Sequence, residues 1–280
     1  MLKFSLILAT VGRREEVARF LSSLDLQGYP KLELIVVDQN DDDRVRSLLD
    51  EYSGRFEIVY LQSQRGLSIA RNKGLNYVSG DIVCFPDDDC WYPQGLLDSV
   101  SAVFEKDPRG ILAGQSIDEN GKFSQRSWPV TPESGNKLNV WKLAISYTIF
   151  MRKECVDSVG EFDVRLGVGA GSPWQSGEET DYLIRAMSAG CEFAFQPHIK
   201  VYHPQKVTSY GDGDIARARK YGEGMGKVLR KHAYPTWFVM YMLLRPLGGF
   251  VIALLKLNIK QAKYYRSVMT GRYLGWLSGE

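Results

Sequence analysis

The chain has 280 residues, is 44% hydrophobic and 24% charged, and carries a formal charge of +2. That is an ordinary globular composition with enough apolar material for a large core, and it excludes the strongly basic balance of a nucleic-acid binder. Four cysteines, Cys84, Cys90, Cys155 and Cys191, show no CxxC spacing, so no disulfide framework is expected and a reducing cytosol fits.

The apolar run at 3–9 has no small-residue cleavage site after it and turns charged quickly, so it predicts a buried strand rather than a signal peptide. Thr10-Val11-Gly12-Arg13 is a turn, and Val17, Phe20, Leu21 and Leu24 have helical spacing over 15–26. A second apolar strand at 32–37 ends at Asp38. Asp41, Asp42 and Asp43 then precede a helix at 45–52, where acidic residues favour the N-terminus. A strand at 56–61, Gly66, a helix at 67–77 and a strand at 81–85 follow. Strand–helix alternation of this kind predicts an α/β fold, with a mostly parallel sheet flanked by helices.

The stretch Asp81–Pro93, DIVCFPDDDCWYP, carries the densest chemistry. Asp87, Asp88 and Asp89 follow a short buried strand, where ligands of open α/β sheets bind. Three adjacent carboxylates repel one another and need a cation or cationic partners. Mg²⁺ and Mn²⁺ suit such oxygen-rich sites. A solvated acidic turn ahead of the helix at 94–105 is the competing structural reading.

A strand at 111–115 continues the alternation, and 116–136 reads as a loop or loose hairpin. A helical piece at 138–143, a strand at 144–151 and a short helix at 155–159 come next. Residues 160–177 are glycine-rich, with Trp174 in the middle as a ligand-stacking ring or a plug over the core. Loops of this length are often functional lids. A helix at 178–189, short strands at 193–195 and 200–202 ending at His203, and a basic amphipathic helix at 214–232 complete this part.

Residues 237–257 are long and apolar enough to span a bilayer, but Arg245, Pro246, Gly248 and Gly249 interrupt them. Two half-helices in the membrane interface fit better. Lys256, Lys260, Lys263, Arg266 and Arg272, interleaved with Tyr264, Tyr265, Tyr273 and Trp276, suit an anionic bilayer surface. A helical hairpin packed on the protein, or on a second copy in a homodimer, is the alternative.

The order ILATVGR, LELIVVDQNDDD, QRGLSIARNKGL, GDIVCFPDDDCWYP, SGEETDYLIRAMSAG and KVYHP resembles family 2 glycosyltransferases of the GT-A fold over roughly residues 1–205. The resemblance implies a catalytic domain at 1–210, with a nucleotide-binding half at 1–115 and an acceptor-binding half at 116–210. A membrane-associated helical region at 211–280 would follow. It implies inverting transfer from a nucleotide diphosphate sugar to a glycan or lipid-linked acceptor, at the inner face of the cell membrane. Donor contacts fall on Thr10, Gly12, Arg13, Asp38, Gly66, Arg71, Asn72, Asp87, Asp88 and Trp174. Asp38 could accept from the N3–H of uracil, which points to a UDP-sugar. Asp87 and Asp89 match the DxD motif that holds Mn²⁺ or Mg²⁺, with His203 as a further ligand. Glu179 occupies the place of the catalytic base; it is Glu where the family carries Asp, which leaves Glu178 open as the base and Asp181 as a cap or orienting group. Nucleic acid is not an expected partner. A nucleotidyltransferase on a related sheet and a non-catalytic scaffold are the competing classes. A dinucleotide oxidoreductase is disfavoured, because no GxGxxG follows the first strand.

Overall fold

The computed structural model describes residues 1–205 and 207–278. Its contacts divide the chain into two compact units. Met1–Arg65, Ile69–Phe162 and Tyr182–Lys206 form the first; Gly66–Ser68, Asp163–Asp181 and Val207–Glu280 form the second.

The first unit is built on one mixed sheet. Its strands are β1 (Phe4–Thr10), β2 (Leu32–Asp38), β3 (Glu57–Gln62), β4 (Ile82–Cys84), β5 (Ile111–Ile117), β6 (Glu133–Ser134), β7 (Ile149–Arg152) and β8 (Phe193–Tyr202), in the order β3-β2-β1-β4-β7-β5-β8-β6. Strands β3, β2, β1 and β4 are parallel, and β5 is parallel to β8. Strand β7 runs antiparallel between β4 and β5, and β6 antiparallel beside β8. Every residue of β1 and β2 is buried, as expected of strands covered on both faces. The helices up to residue 188 are α1 (Glu15–Asp25), α2 (Arg46–Leu49), α3 (Leu67–Leu75), α4 (Leu96–Lys106), α5 (Val140–Leu143), α6 (Lys153–Val159) and α7 (Glu178–Ser188); the first turns of α3 and α7 belong to the second unit. Helix α1 buries the expected stripe of Val17, Phe20, Leu21 and Leu24.

Several local expectations change. The strand expected over 144–151 begins only at Ile149, because Ser146–Thr148 form a 3-10 turn and Thr148 Oγ1 bonds back to the Ile145 carbonyl. The two short strands after residue 193 are one strand, β8, whose pairing with β5 shifts between Ala113 and Gln115. Gly114 allows that irregularity: a Cβ there would lie 2.3 Å from the Ile199 carbonyl oxygen. Asp41–Asp43 do not cap a helix. Asp42 binds its neighbour Arg44 instead, and α2 is a single turn without a side-chain cap.

One disulfide joins Cys155 and Cys191, 36 residues apart, which corrects the expectation of reduced thiols throughout. Topology accounts for it. Strand β5 pairs with β7 and β8 at Ile111, bringing the segments that follow β7 and precede β8 to the same end of the sheet. Gly110 leaves the room there, since a Cβ would sit 2.1 Å from the Cys155 sulfur. Cys84 and Cys90 are free and buried.

The second unit contains α8 (Asp212–Lys231), α9 (Thr236–Leu244), α10 (Leu247–Leu255) and α11 (Ile259–Leu277). Helices α8 and α11 meet backbone to backbone through glycines. A Cβ on Gly226 would lie 2.1 Å from the Arg272 carbonyl oxygen, and one on Gly275 would lie 1.9 Å from that of Glu223. The break between α9 and α10 falls at Arg245 and Pro246, as the sequence predicts, since proline has no N–H to continue the ladder. By length and composition the run Thr236–Leu255 could cross a membrane; its mean hydropathy is 1.9 and 33% of it is buried.

Candidate active site

Two isolated backbone bridges place the Asp triplet. Ala9 pairs with Asp87 at the end of β1, and Trp91 pairs with Tyr202 at the end of β8. The three acids are thereby held between Thr10 on one side and His203 on the other. Asp88 accepts from Thr10 Oγ1 at 2.8 Å and from Arg13 Nη1 at 2.6 Å. The same Arg13 nitrogen lies 2.7 Å from Asp89 Oδ2. Asp89 Oδ1 is 3.2 Å from His203 Nε2. Asp87 Oδ1 accepts from Arg71 Nη2 at 3.3 Å and from Ser146 Oγ at 3.0 Å.

Each negative charge therefore has a cationic neighbour, and their environments differ. Burial pushes Asp87 above the usual carboxylate range, against the pull of Arg71. Burial also raises Asp88, to about 6, although Arg13 opposes the rise. Burial acts on Asp89 in the same sense, but His203 and Arg13 outweigh it and hold its carboxyl at about 2. His203 is raised, its contact with Asp89 overcoming the opposing effect of burial. Its Nδ1 lies 2.8 Å from the Pro204 carbonyl oxygen, and its ring stacks on Tyr147 at 4.8 Å.

Arg71 is 1% exposed. Its guanidinium lies 5.8 Å from the ring centre of Phe85 and 5.5 Å from that of Phe162, so it braces Asp87 from within the core. Asn72 bonds the backbone of Phe162 in both directions, at 2.9 and 2.7 Å, and so secures the chain at the start of the glycine-rich segment. Asp38 is fully buried. It accepts from Tyr60 Oη at 3.0 Å and from the backbone and side-chain nitrogens of Asn40 at 2.9 and 2.7 Å. A carboxylate has roughly four acceptor positions, so most of its capacity is used. Gly12 takes a positive φ and donates its N–H to Asn40 Oδ1 at 2.6 Å, tying the β1 turn to the β2 turn. Gly66 also takes a positive φ, just before α3.

The second unit holds the acids of the GEETD stretch. Glu178 is buried, and Gly167 must be glycine beside it: it has φ +101° and an added Cβ would lie 3.2 Å from the Glu178 carboxyl. Asp181 is fully buried, with Lys231 at 2.7 Å and His232 at 2.8 Å. Glu179 is half-buried, and its carboxylate makes no ion pair or hydrogen bond among the described residues. The preceding loop is held by hydrogen bonds near both of its ends. Gly167 donates to the Trp174 carbonyl at 3.0 Å, and Ser176 Oγ donates to the Tyr221 carbonyl at 2.8 Å. Trp174 carries the Lys227 ammonium over its ring at 4.3 Å.

Among the described residues no three His, Cys, Asp or Glu side chains converge as a metal cage. The expected set of Asp87, Asp89 and His203 is not preformed, because Asp87 turns to Arg71 and Ser146 while His203 pairs with Asp89. Two carboxylates that still reach solvent do fit Mg²⁺ or Mn²⁺, which is commonly held by one or two carboxylates together with substrate phosphates. Ser146, Tyr147 and Phe162 escaped the sequence reading. Ser146 lay in a run read as strand, and no periodicity reports which loop side chain will meet an acid from elsewhere. Lys231 and His232 were likewise hidden in a helix read only as basic and amphipathic.

Comparison with known proteins agrees with this architecture. Over 94% of its length the chain is 26% identical to Glycosyltransferase AglE of Haloferax volcanii, of which 83% is covered. Over 79% it is 26% identical to the Succinoglycan biosynthesis protein ExoM of Rhizobium meliloti, of which 74% is covered. The fold matches the mannosyltransferase PcManGT of Pyrobaculum calidifontis, solved with GDP-Man and Mn²⁺, with a TM-score of 0.68 at 16% identity, covering 97% of this chain and 87% of that one. The profile of Glycosyl transferase family 2 matches residues 5–159, and the chain belongs to that family: it is a glycosyltransferase of the GT-A fold.

Proposed function

We propose that the enzyme transfers a sugar, with inversion, from a nucleotide diphosphate sugar to a hydroxyl of a glycan or lipid-linked acceptor in surface-polysaccharide synthesis. The succinoglycan relative supports that setting. The uridine preference rests on Asp38 at the end of β2, which is buried here and would exchange a bond from Asn40 or Tyr60 for one from the base. Asp87 and Asp89 would hold Mg²⁺ or Mn²⁺, which when bound supplies positive charge to the departing diphosphate. Thr10 and Arg13 orient Asp88 beside them. The apolar run of α9 and α10 and the basic side chains that follow favour peripheral contact with the inner face of a membrane.

Glu179 takes the proton from the attacking hydroxyl. One observation carries this choice: Asp181 is paired with Lys231 and His232, whereas the Glu179 carboxylate is unpartnered among the described residues and so able to accept a proton. Glu179→Gln should lower turnover by roughly 10²–10⁴, with nucleotide-sugar binding by calorimetry unchanged. Undiminished turnover would move the base elsewhere.

A further inference from the structure

Between residues 235 and 278 the chain carries Arg245, Lys256, Lys260, Lys263, Arg266 and Arg272, and no Asp or Glu. Arg272 is the one drawn inward. It reaches from α11 to α9, where Nη1 donates to the Met242 carbonyl. Its Nε is buried without a hydrogen-bond partner, and no carboxylate pairs with it among the described residues. Arg245 lies one turn beyond Met242, exposed and equally without an ion pair. Burial first, and Arg245 second, push the Arg272 guanidinium down to about 10 from the ordinary 12.5.

Two like charges held near each other, one with an orphaned buried donor, are unfavourable unless an anion completes them. The surroundings indicate what carries that anion. Tyr241, Leu244 and Leu247, within four residues of Arg245 in the chain, expose apolar surface, which suits an anion borne on a lipid rather than one free in water.

We infer that Arg245 and Arg272 form a binding site for the phosphate head of a membrane lipid, where α11 meets the end of α9. The site deepens the membrane reading and rests on it. Guanidinium groups match phosphate oxygens with directed, charge-assisted hydrogen bonds. The lysines of 256–263 add only diffuse attraction to a negative surface.

The test is co-flotation of the full-length protein with phosphatidylcholine vesicles containing either phosphatidic acid or oleate at matched surface charge. The native protein should prefer phosphatidic acid by roughly tenfold, the scale of one charge-assisted hydrogen bond gained. Arg272→Met and Arg245→Gln should each abolish that preference while leaving the weaker binding common to both vesicles. Arg245 makes no hydrogen bond or ion pair among the described residues, so Arg245→Gln carries the test if Arg272→Met fails to fold. Equal binding of the native protein to both vesicles, or a preference that survives both substitutions, overturns the site and leaves the membrane reading standing. Failure to bind either vesicle overturns both. Complete displacement by inorganic phosphate assigns the site to a free ion and overturns the lipid source.

Discussion

The Asp triplet of the first unit and the basic tail of the second treat charge in opposite ways. Asp87, Asp88 and Asp89 each meet a cationic side chain from another element: Arg71, Arg13 or His203. Between residues 235 and 278 six basic side chains have no acidic residue among them. Internal partners let like charges sit close without ligand, and a bound cation would exchange with them. Charges without internal partners point to an external one. The difference separates acids matched by cations within the fold from a basic stretch that has no acids in its own sequence.

The largest effect should come from breaking the internal compensation. Arg71→Met keeps much of the packing between Phe85 and Phe162 but leaves the Asp87 carboxylate without its cation. A loss of about 3 kcal/mol in urea unfolding is expected, the low end for a broken buried pair because Asp87 reaches solvent. No loss would mean that Ser146 alone suffices.

Compensation of the same kind recurs at Asp163 in the second unit, where it can be read through pH. The hydrogen bond from Arg165, with Lys231 adding to it, holds the Asp163 carboxyl well below the ordinary range. A depressed pKa contributes stability that is complete above about pH 4 and is lost as the pH falls. Asp163→Asn should therefore cost about 2 kcal/mol near pH 7, with the gap from the native protein narrowing below about pH 4. A gap independent of pH would show that packing, not charge, is lost.

The tail is probed by smaller changes. Gly226→Ala forces α8 and α11 apart at the Arg272 carbonyl, and thermal unfolding should register about 1–3 kcal/mol of overpacking. A stability-neutral substitution would show that the helix pair gives way easily. Lys260→Gln should weaken flotation with anionic vesicles by about 1 kcal/mol, an effect that fades with added salt. Equal loss on neutral vesicles would sever the link between these charges and the lipid surface.

Much of the fold was legible because apolar runs report burial directly. The strands β1 and β2, the stripe on α1, the helix opening at Glu178 and the break at Pro246 all follow from local pattern and local chemistry. The same holds for the Asp87–Asp89 turn, since three adjacent carboxylates after a buried strand are conspicuous in one dimension. Their neighbours were not. Ser146 looked like part of a strand, and no local pattern shows that Asn72 secures Phe162. Cys155 and Cys191 meet only because β5 runs between β7 and β8.

By itself the amino-acid order determined the strand–helix alternation, the family and the identity of the acidic groups, because period, turn residues and short motifs are properties of neighbouring positions. Tertiary structure alone decided which acid each cation serves, that Asp181 is engaged by Lys231 and His232 while Glu179 has no partner among the described residues, and that Arg272 turns inward with a nitrogen unsatisfied among them. Those outcomes depend on which side chains meet across long stretches of chain, and strand order and helix packing set that, not local spacing.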